Sequence, residues 1–387
     1  MKIIFSAIIL MLTASFVQSQ EKDKKKEIGD LFTVSGNVKG LDTDFMSIDY
    51  KDENGIRILD SISVKDNSFS YTAKITQATH FYIWPKVERT IKRVGRGLIP
   101  VVSSKFSFLA SPGDDIVFKG DITDFVNAYP SGNDANNDLA KINREIYPLM
   151  NKSVNISLKR RNSTGGEFPK ILADSLRILN SEVARAKKDF VFSNPKSKAA
   201  VWYLSDMMAR RQISNKEVTK AFRNFDEGLS EYRYYKEVAA RIEGLKSITI
   251  GKTLPNFSTK NTMDGNEFQF NSLKGKYVLI DFWGTWCGPC ISEMPKVKEY
   301  KNKYKDKLVV LGINKGDTKE KIEKFVVSKG YDWKQLLSGQ RDEDLVVKFN
   351  VTSFPTKFII DPDGKILHKS SGISGSSFTK IDQLLKE

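Results

Sequence analysis

Lys276-Tyr277-Val278-Leu279-Ile280-Asp281-Phe282-Trp283-Gly284-Thr285-Trp286-Cys287-Gly288-Pro289-Cys290 decides how the rest of the chain is read. Val278 to Phe282 is too apolar for a surface strand with one wet face, so it predicts a central strand covered on both sides. The strand runs into a Cys-x-x-Cys turn at which a helix is predicted to begin, with Glu293 to Tyr304 as its body. Cys287 and Cys290 are the only cysteines in 387 residues. A thiolate is the reactive form of cysteine, and a helix N-terminus favours negative charge on Cys287. Gly288 and Pro289 permit a tight turn that is expected to leave the first sulfur exposed. Cys290, one helical turn further in, is placed to attack a mixed disulfide and release the product. Zinc needs about four ligands, and the chain has no other cysteines and only two histidines, His80 and His368. A purely structural bridge is the other alternative, but so short a loop restrains little chain.

The pattern on either side of the pair is strand–helix–strand from Ile248 onward. Strands are predicted at Leu308 to Ile313 and Lys357 to Asp361, with a further one at Ile366-Leu367. Helices are predicted at Thr318 to Lys329, Glu343 to Phe349 and Phe378 to Leu385. Inner strands with covering helices make this region, 248–387, α/β.

Trp283-Gly284-Thr285-Trp286-Cys287-Gly288-Pro289-Cys290 resembles the active-site signature of thioredoxin-fold proteins, in particular the exported TlpA-like and ResA-like thiol–disulfide oxidoreductases. Gly251-Lys252-Thr253-Leu254-Pro255-Asn256-Phe257 is similar to that family's entry motif, and Leu273-Lys274-Gly275-Lys276 to the segment before its first core strand. Ser353-Phe354-Pro355-Thr356 resembles its cis-proline loop. The resemblance implies that Cys287 is the nucleophile and Cys290 the resolving thiol. It implies that Asp281, six residues before Cys287, assists proton transfer to the inner thiol, with a pKa raised by burial. Glu293, three residues after Cys290, takes the place of an active-site acid in some relatives and would tune the pair; a first-turn acid also simply suits a helix start. Trp286, Gly288, Pro289, Phe354 and a cis Pro355 would form the substrate-binding surface. Lys276, Lys315 and Lys357 receive no role. No metal or organic cofactor is implied.

Upstream, Lys2 and the apolar run Ile3 to Phe16 precede Val17-Gln18-Ser19, which reads as a cleavable signal peptide over 1–19, followed by a charged tail at 20–27. Export to the periplasm or a comparable space is therefore expected, where thiols meet an oxidising environment. Short alternating segments with close turns, Asn54-Gly55 among them, predict an antiparallel β-sandwich-like domain over 28–122. Lys86, Arg89, Lys92, Arg93 and Arg96 form a basic run read as a solvated edge, or else as a contact surface for an anionic partner. His80 is read as a lone surface or packing histidine and not as a metal ligand. Tyr129 to Asn133 looks like a linker, 151–168 like a polar stretch with a turn at Thr164-Gly165-Gly166, and 123–247 otherwise like a helical region. This extension resembles those found on Bacteroidetes-type relatives.

The formal charge of +15 comes from 62 basic and 47 acidic residues that are interleaved. With no zinc-finger or RNA-binding pattern, nucleic acid is not an expected partner. The expected function is disulfide reduction on exported proteins, fed by a membrane electron donor. An exported oxidant or isomerase, peroxidase chemistry, and a scaffold acting through the β-rich domain are the alternatives. The extension would set substrate choice, mediate homodimer formation or shield the dithiol, and the residues do not rank these.

Overall fold

The computed structural model describes residues 30–51, 57–162, 169–339 and 343–386. The signal peptide, the charged tail and the turns at Asn54-Gly55 and Thr164-Gly165-Gly166 lie outside the described residues. The chain forms two compact units, one ending at Phe190 and the other beginning at Val191.

The first unit is built on β1 (Leu31–Lys39), β2 (Phe45–Lys51), β3 (Arg57–Lys65), β4 (Ser68–Lys74), β5 (Thr79–Trp84), β6 (Lys92–Val94), β7 (Gly97–Ile99), β8 (Phe106–Ala110), β9 (Asp115–Ile122) and β10 (Val126–Ser131). Eight of these make one sheet in the order β10-β9-β1-β4-β3-β2-β5-β8, and its two ends touch, so the sheet nearly closes on itself. The period-two pattern of β1 is the reason it forms: Phe32, Val34 and Val38 point inward and are buried. They meet Phe81, Phe108 and Phe118, with Phe81 and Phe108 stacked at 4.9 Å. The sheet is not wholly antiparallel, since β1 and β9 run parallel.

Three expectations are corrected here. The sheet continues past residue 122, because Tyr129 and Pro130 belong to β10 and are buried rather than forming a linker. Helix α1 (Asp134–Asn162) runs into the stretch 151–168 that was expected to be polar and irregular, so that stretch is helical up to Asn162. The basic run is not simply a solvated edge. Lys92 is buried, and its ammonium donates to the Asp124 carbonyl and to Asn155 on α1, both at 2.9 Å. His80 does pack locally, against Tyr82 and within 2.8 Å of the Ser107 hydroxyl. Helix α2 (Lys170–Ser193) follows.

The second unit opens with α3 (Lys198–Ala209), α4 (Asn215–Arg223) and α5 (Arg233–Ser247). Asn215-Lys216-Glu217 starts α4 through a capping box, in which Ser214 and Glu217 satisfy each other's backbone N–H groups. The α/β portion then runs β11 (Ser258–Thr259), β12 (Phe268–Gln269), β13 (Tyr277–Trp283), α6 (Gly288–Lys303), β14 (Leu308–Asn314), α7 (Lys319–Lys329), β15 (Lys334–Leu337), α8 (Leu345–Lys348), β16 (Thr356–Ile360), β17 (Ile366–Ser371) and α9 (Ser376–Leu385). Its five-stranded sheet has the order β15-β14-β13-β16-β17, with β13 central, parallel to β14 and antiparallel to β16. Val278, Ile280 and Phe282 face one apolar cluster, while Leu279 and Trp283 face the other. Burying each such side chain stabilises the fold by about 1.5–3 kcal/mol. The expected helical middle region is present and is shared between the two units. Helix α1 packs on β10, whereas α5 packs on α8 of the α/β portion.

Candidate active site around the Cys287–Cys290 pair

Strand β13 ends at Trp283, and the chain turns through Gly284-Thr285-Trp286 into α6. A Cβ at Gly284 would run into the Trp286 indole, so the turn requires glycine there. Asp317 fastens the turn. Its carboxylate accepts the Thr285 N–H at 2.7 Å and the Thr285 hydroxyl at 2.6 Å, together with Asn314 at 2.9 Å and Lys321 at 2.7 Å. Burial alone would raise the Asp317 pKa, but the hydrogen bonds from Lys321, Thr285 and Asn314 hold it below the usual carboxylate range.

Cys287 is the N-cap of α6, its sulfur accepting the Cys290 N–H at 3.2 Å, and Pro289 sits in the first turn, where a missing N–H costs nothing. The helix starts at Gly288, within the Cys-x-x-Cys turn where its beginning was predicted. Cys287 and Cys290 are joined as a disulfide. Contrary to expectation, Cys287 is only 5% exposed. In this oxidised form its sulfur is bonded to Cys290 and turned into the first helical turn, while the exposed residues at the pair are Trp286, Gly288 and Pro289.

Trp286 is 55% exposed, and its indole N–H donates to the Lys315 carbonyl at 2.8 Å. Its ring meets Phe354 edge-on at 5.2 Å, and the Phe354–Pro355 peptide is cis. Phe354 also packs on the cluster that contains both cysteines. Trp283, by contrast, is a fully buried core residue with its N–H on Gln335 at 2.9 Å.

The two acids singled out in the sequence meet at a residue that received no role. Asp281 lies directly opposite Lys357 in the β13–β16 register. The Lys357 ammonium is 3.2 Å from Asp281 and 2.7 Å from Glu293. Exposures of 2%, 3% and 8% for Asp281, Lys357 and Glu293 put all three side chains inside the protein. Burial raises the Asp281 pKa, Lys357 opposes that and Glu293 adds to it. For Lys357 burial acts downward, but Asp281 and Glu293 together raise it, so the amine stays charged. The signal for Lys357 in the sequence was a lysine leading the apolar run Phe358-Ile359-Ile360 of a predicted inner strand. The other two lysines lie elsewhere: Lys315 pairs with Asp344 at 2.8 Å, and Lys276 donates to the Asp306 carbonyl. Among the described residues no group of three or more His, Cys, Asp or Glu is arranged to hold a metal ion.

A five-stranded α/β sheet carrying a disulfide-forming Cys-x-x-Cys pair at the start of a helix defines a thiol–disulfide oxidoreductase with the thioredoxin fold. Residues 250–369 match the AhpC/TSA family, and residues 32–139 match a domain of unknown function, DUF4369. The chain is 37% identical over 128 residues to the thiol-disulfide oxidoreductase ResA of a Bacillus cereus strain, covering 33% of this chain and 72% of that protein. It is 33% identical over 142 residues to ResA of Bacillus subtilis, covering 36% and 76%. Through its C-terminal domain the chain belongs to the ResA-related thiol–disulfide oxidoreductases. A thiol:disulfide interchange protein from Bacteroides sp. is 28% identical, covering 36% of this chain and 93% of its own, with a TM-score of 0.33. Among the described residues no helix is long and apolar enough to cross a membrane.

Proposed function

We propose that the protein is an exported reductase of disulfides in other exported proteins. Reduced Cys287 attacks a substrate disulfide, forms a mixed disulfide and releases one substrate thiolate. Cys290 loses its proton to Asp281 and attacks the Cys287 sulfur. The Cys287–Cys290 bond forms, and the second substrate sulfur leaves and takes up a proton. A membrane-bound dithiol donor then restores the pair. Trp286, Gly288, Pro289 and the Phe354–Pro355 loop receive the substrate chain, and Glu293 tunes the acid beside it.

The observation that carries this reading is the Cys287–Cys290 disulfide at the N-terminus of α6, with the exposed Trp286 against the cis-proline loop. Export rests on the apolar leader and on the kinship with ResA. The deciding experiment is equilibration of the pair in defined glutathione and dithiothreitol buffers. A potential near or below about −250 mV supports a reductase. One near about −120 mV makes the protein an oxidant of newly exported chains. A pair that does not cycle, with no insulin reduction, overturns the catalytic reading and leaves the β-rich domain as the functional part.

A further inference from the structure

The face of the central sheet covered by α6 carries a charge cluster in an otherwise apolar layer. Leu279, Asp281 and Trp283 alternate onto one face of β13, and Lys357 and Ile359 onto the same face of β16. Leu279, Trp283 and Ile359 pack there with Cys287, Cys290 and Met294. Glu293 reaches the cluster from α6, one helical turn after Cys290. Two acidic side chains and one ammonium therefore share the layer that holds the inner cysteine. Burying ions is costly, and an apolar side chain at 357 would fill the strand more cheaply. The arrangement is also incomplete on one side. Asp281 Oδ1 is buried without a hydrogen bond, because the Lys357 ammonium at 3.2 Å lies off the required angle.

We propose that Lys357 is a positioning residue of the redox reaction: its ammonium holds the Asp281 carboxylate in the layer beneath Cys290 against the repulsion of Glu293, which leaves Asp281 free to accept the inner thiol's proton near neutral pH. This rests on the reading of Asp281 given above. Without the ammonium, two buried carboxylates face each other, and one of them keeps a proton. Asp281 is then filled before Cys290 needs it. Without Glu293 the opposite holds, and Asp281 ionises more readily and becomes a weaker base. Among the described residues the other groups facing the cluster do not supply a compensating charge. From β17, Ser370 pairs with Lys357, and its hydroxyl meets that of Ser377 on α9. His368, further along β17, has its imidazole at 3.3 Å from the Ser376 hydroxyl, and burial followed by Lys380 lowers its pKa.

The test is single-turnover reduction of a self-quenched peptide disulfide by the reduced full chain between about pH 5 and 9.5, with the midpoint of the rate's acid limb as readout. A Cys290→Ser background reports the first attack alone. Lys357→Met is expected to slow resolution about tenfold at pH 7 and to move the acid limb up by about one pH unit or more. Glu293→Gln should move it down. The double variant, in which a single buried acid remains, should return toward the wild-type midpoint, and Lys357→Arg should restore the profile. An unshifted limb in Lys357→Met overturns the role of the lysine; should Lys357→Met fail to fold, a double variant whose limb stays with that of Glu293→Gln overturns it instead. Asp281→Asn with a wild-type profile overturns the reading of Asp281 itself, which keeps the two failures apart.

Discussion

Thr285 gives both its backbone N–H and its hydroxyl to the carboxylate of Asp317, at 2.7 and 2.6 Å, and so ties the turn before Cys287 to the end of the neighbouring strand β14. The depth of Asp317 makes this tie strong, since its side chain is wholly buried while Lys321, which also binds it, stays in contact with water.

Asp317→Asn should cost about 2 kcal/mol of stability in urea unfolding at pH 7, the magnitude of hydrogen bonds to a buried charge. Because the folded carboxyl titrates below its unfolded value of about 3.9, its contribution is fully present above that pH. It is lost as pH falls through the folded value. The variant should therefore lose stability less steeply than the wild type below about pH 4. Parallel acid slopes for the two proteins would contradict this.

Cys290→Ser should accumulate a mixed disulfide with exported substrate chains, visible as adducts on a non-reducing gel and removed by dithiothreitol. Cys287→Ser should form none, since the remaining thiol is the inner one. Adducts of equal yield from both variants would reverse the assignment of nucleophile and resolving thiol.

Trp286→Ala should leave unfolding within about 1 kcal/mol of wild type, because the ring is more than half exposed. It should lower kcat/KM toward a polypeptide disulfide about tenfold, chiefly through KM, as expected for an aromatic contact at a recognition surface. An equal loss with a small disulfide such as oxidised glutathione would mean that the ring acts on the pair rather than on the substrate chain.

The catalytic domain was legible because its signals are local. An apolar strand, a two-cysteine turn and a following helix lie within one continuous stretch. The features that were missed depend on residues far apart in sequence. Lys92 looked like a surface charge because its partners, the Asp124 carbonyl and Asn155, lie on the loop before β10 and on α1. Lys357 had no visible role because only the β13–β16 register brings it to Asp281. Tyr129 and Pro130 suggested a linker, yet proline is tolerated at the edge of a sheet, and β10 is its outermost strand. The sulfur of Cys287 was expected at the surface because sequence reasoning considered the free thiol, whereas the structure holds the oxidised pair.

Helix α5 lies before the stretch that resembles known relatives, yet it rests on α8, so closely that a Cβ at Gly244 would strike the Lys348 carbonyl. Arg211, just beyond α3, donates to the Thr352 hydroxyl at 2.7 Å, three residues before the cis-proline. The piece of chain that can be inherited, excised or grafted as a working redox module is therefore longer than its signature. A fragment starting at Val191 keeps α5 on α8, whereas one cut at Ile248 would bare the face of α8 that α5 covers.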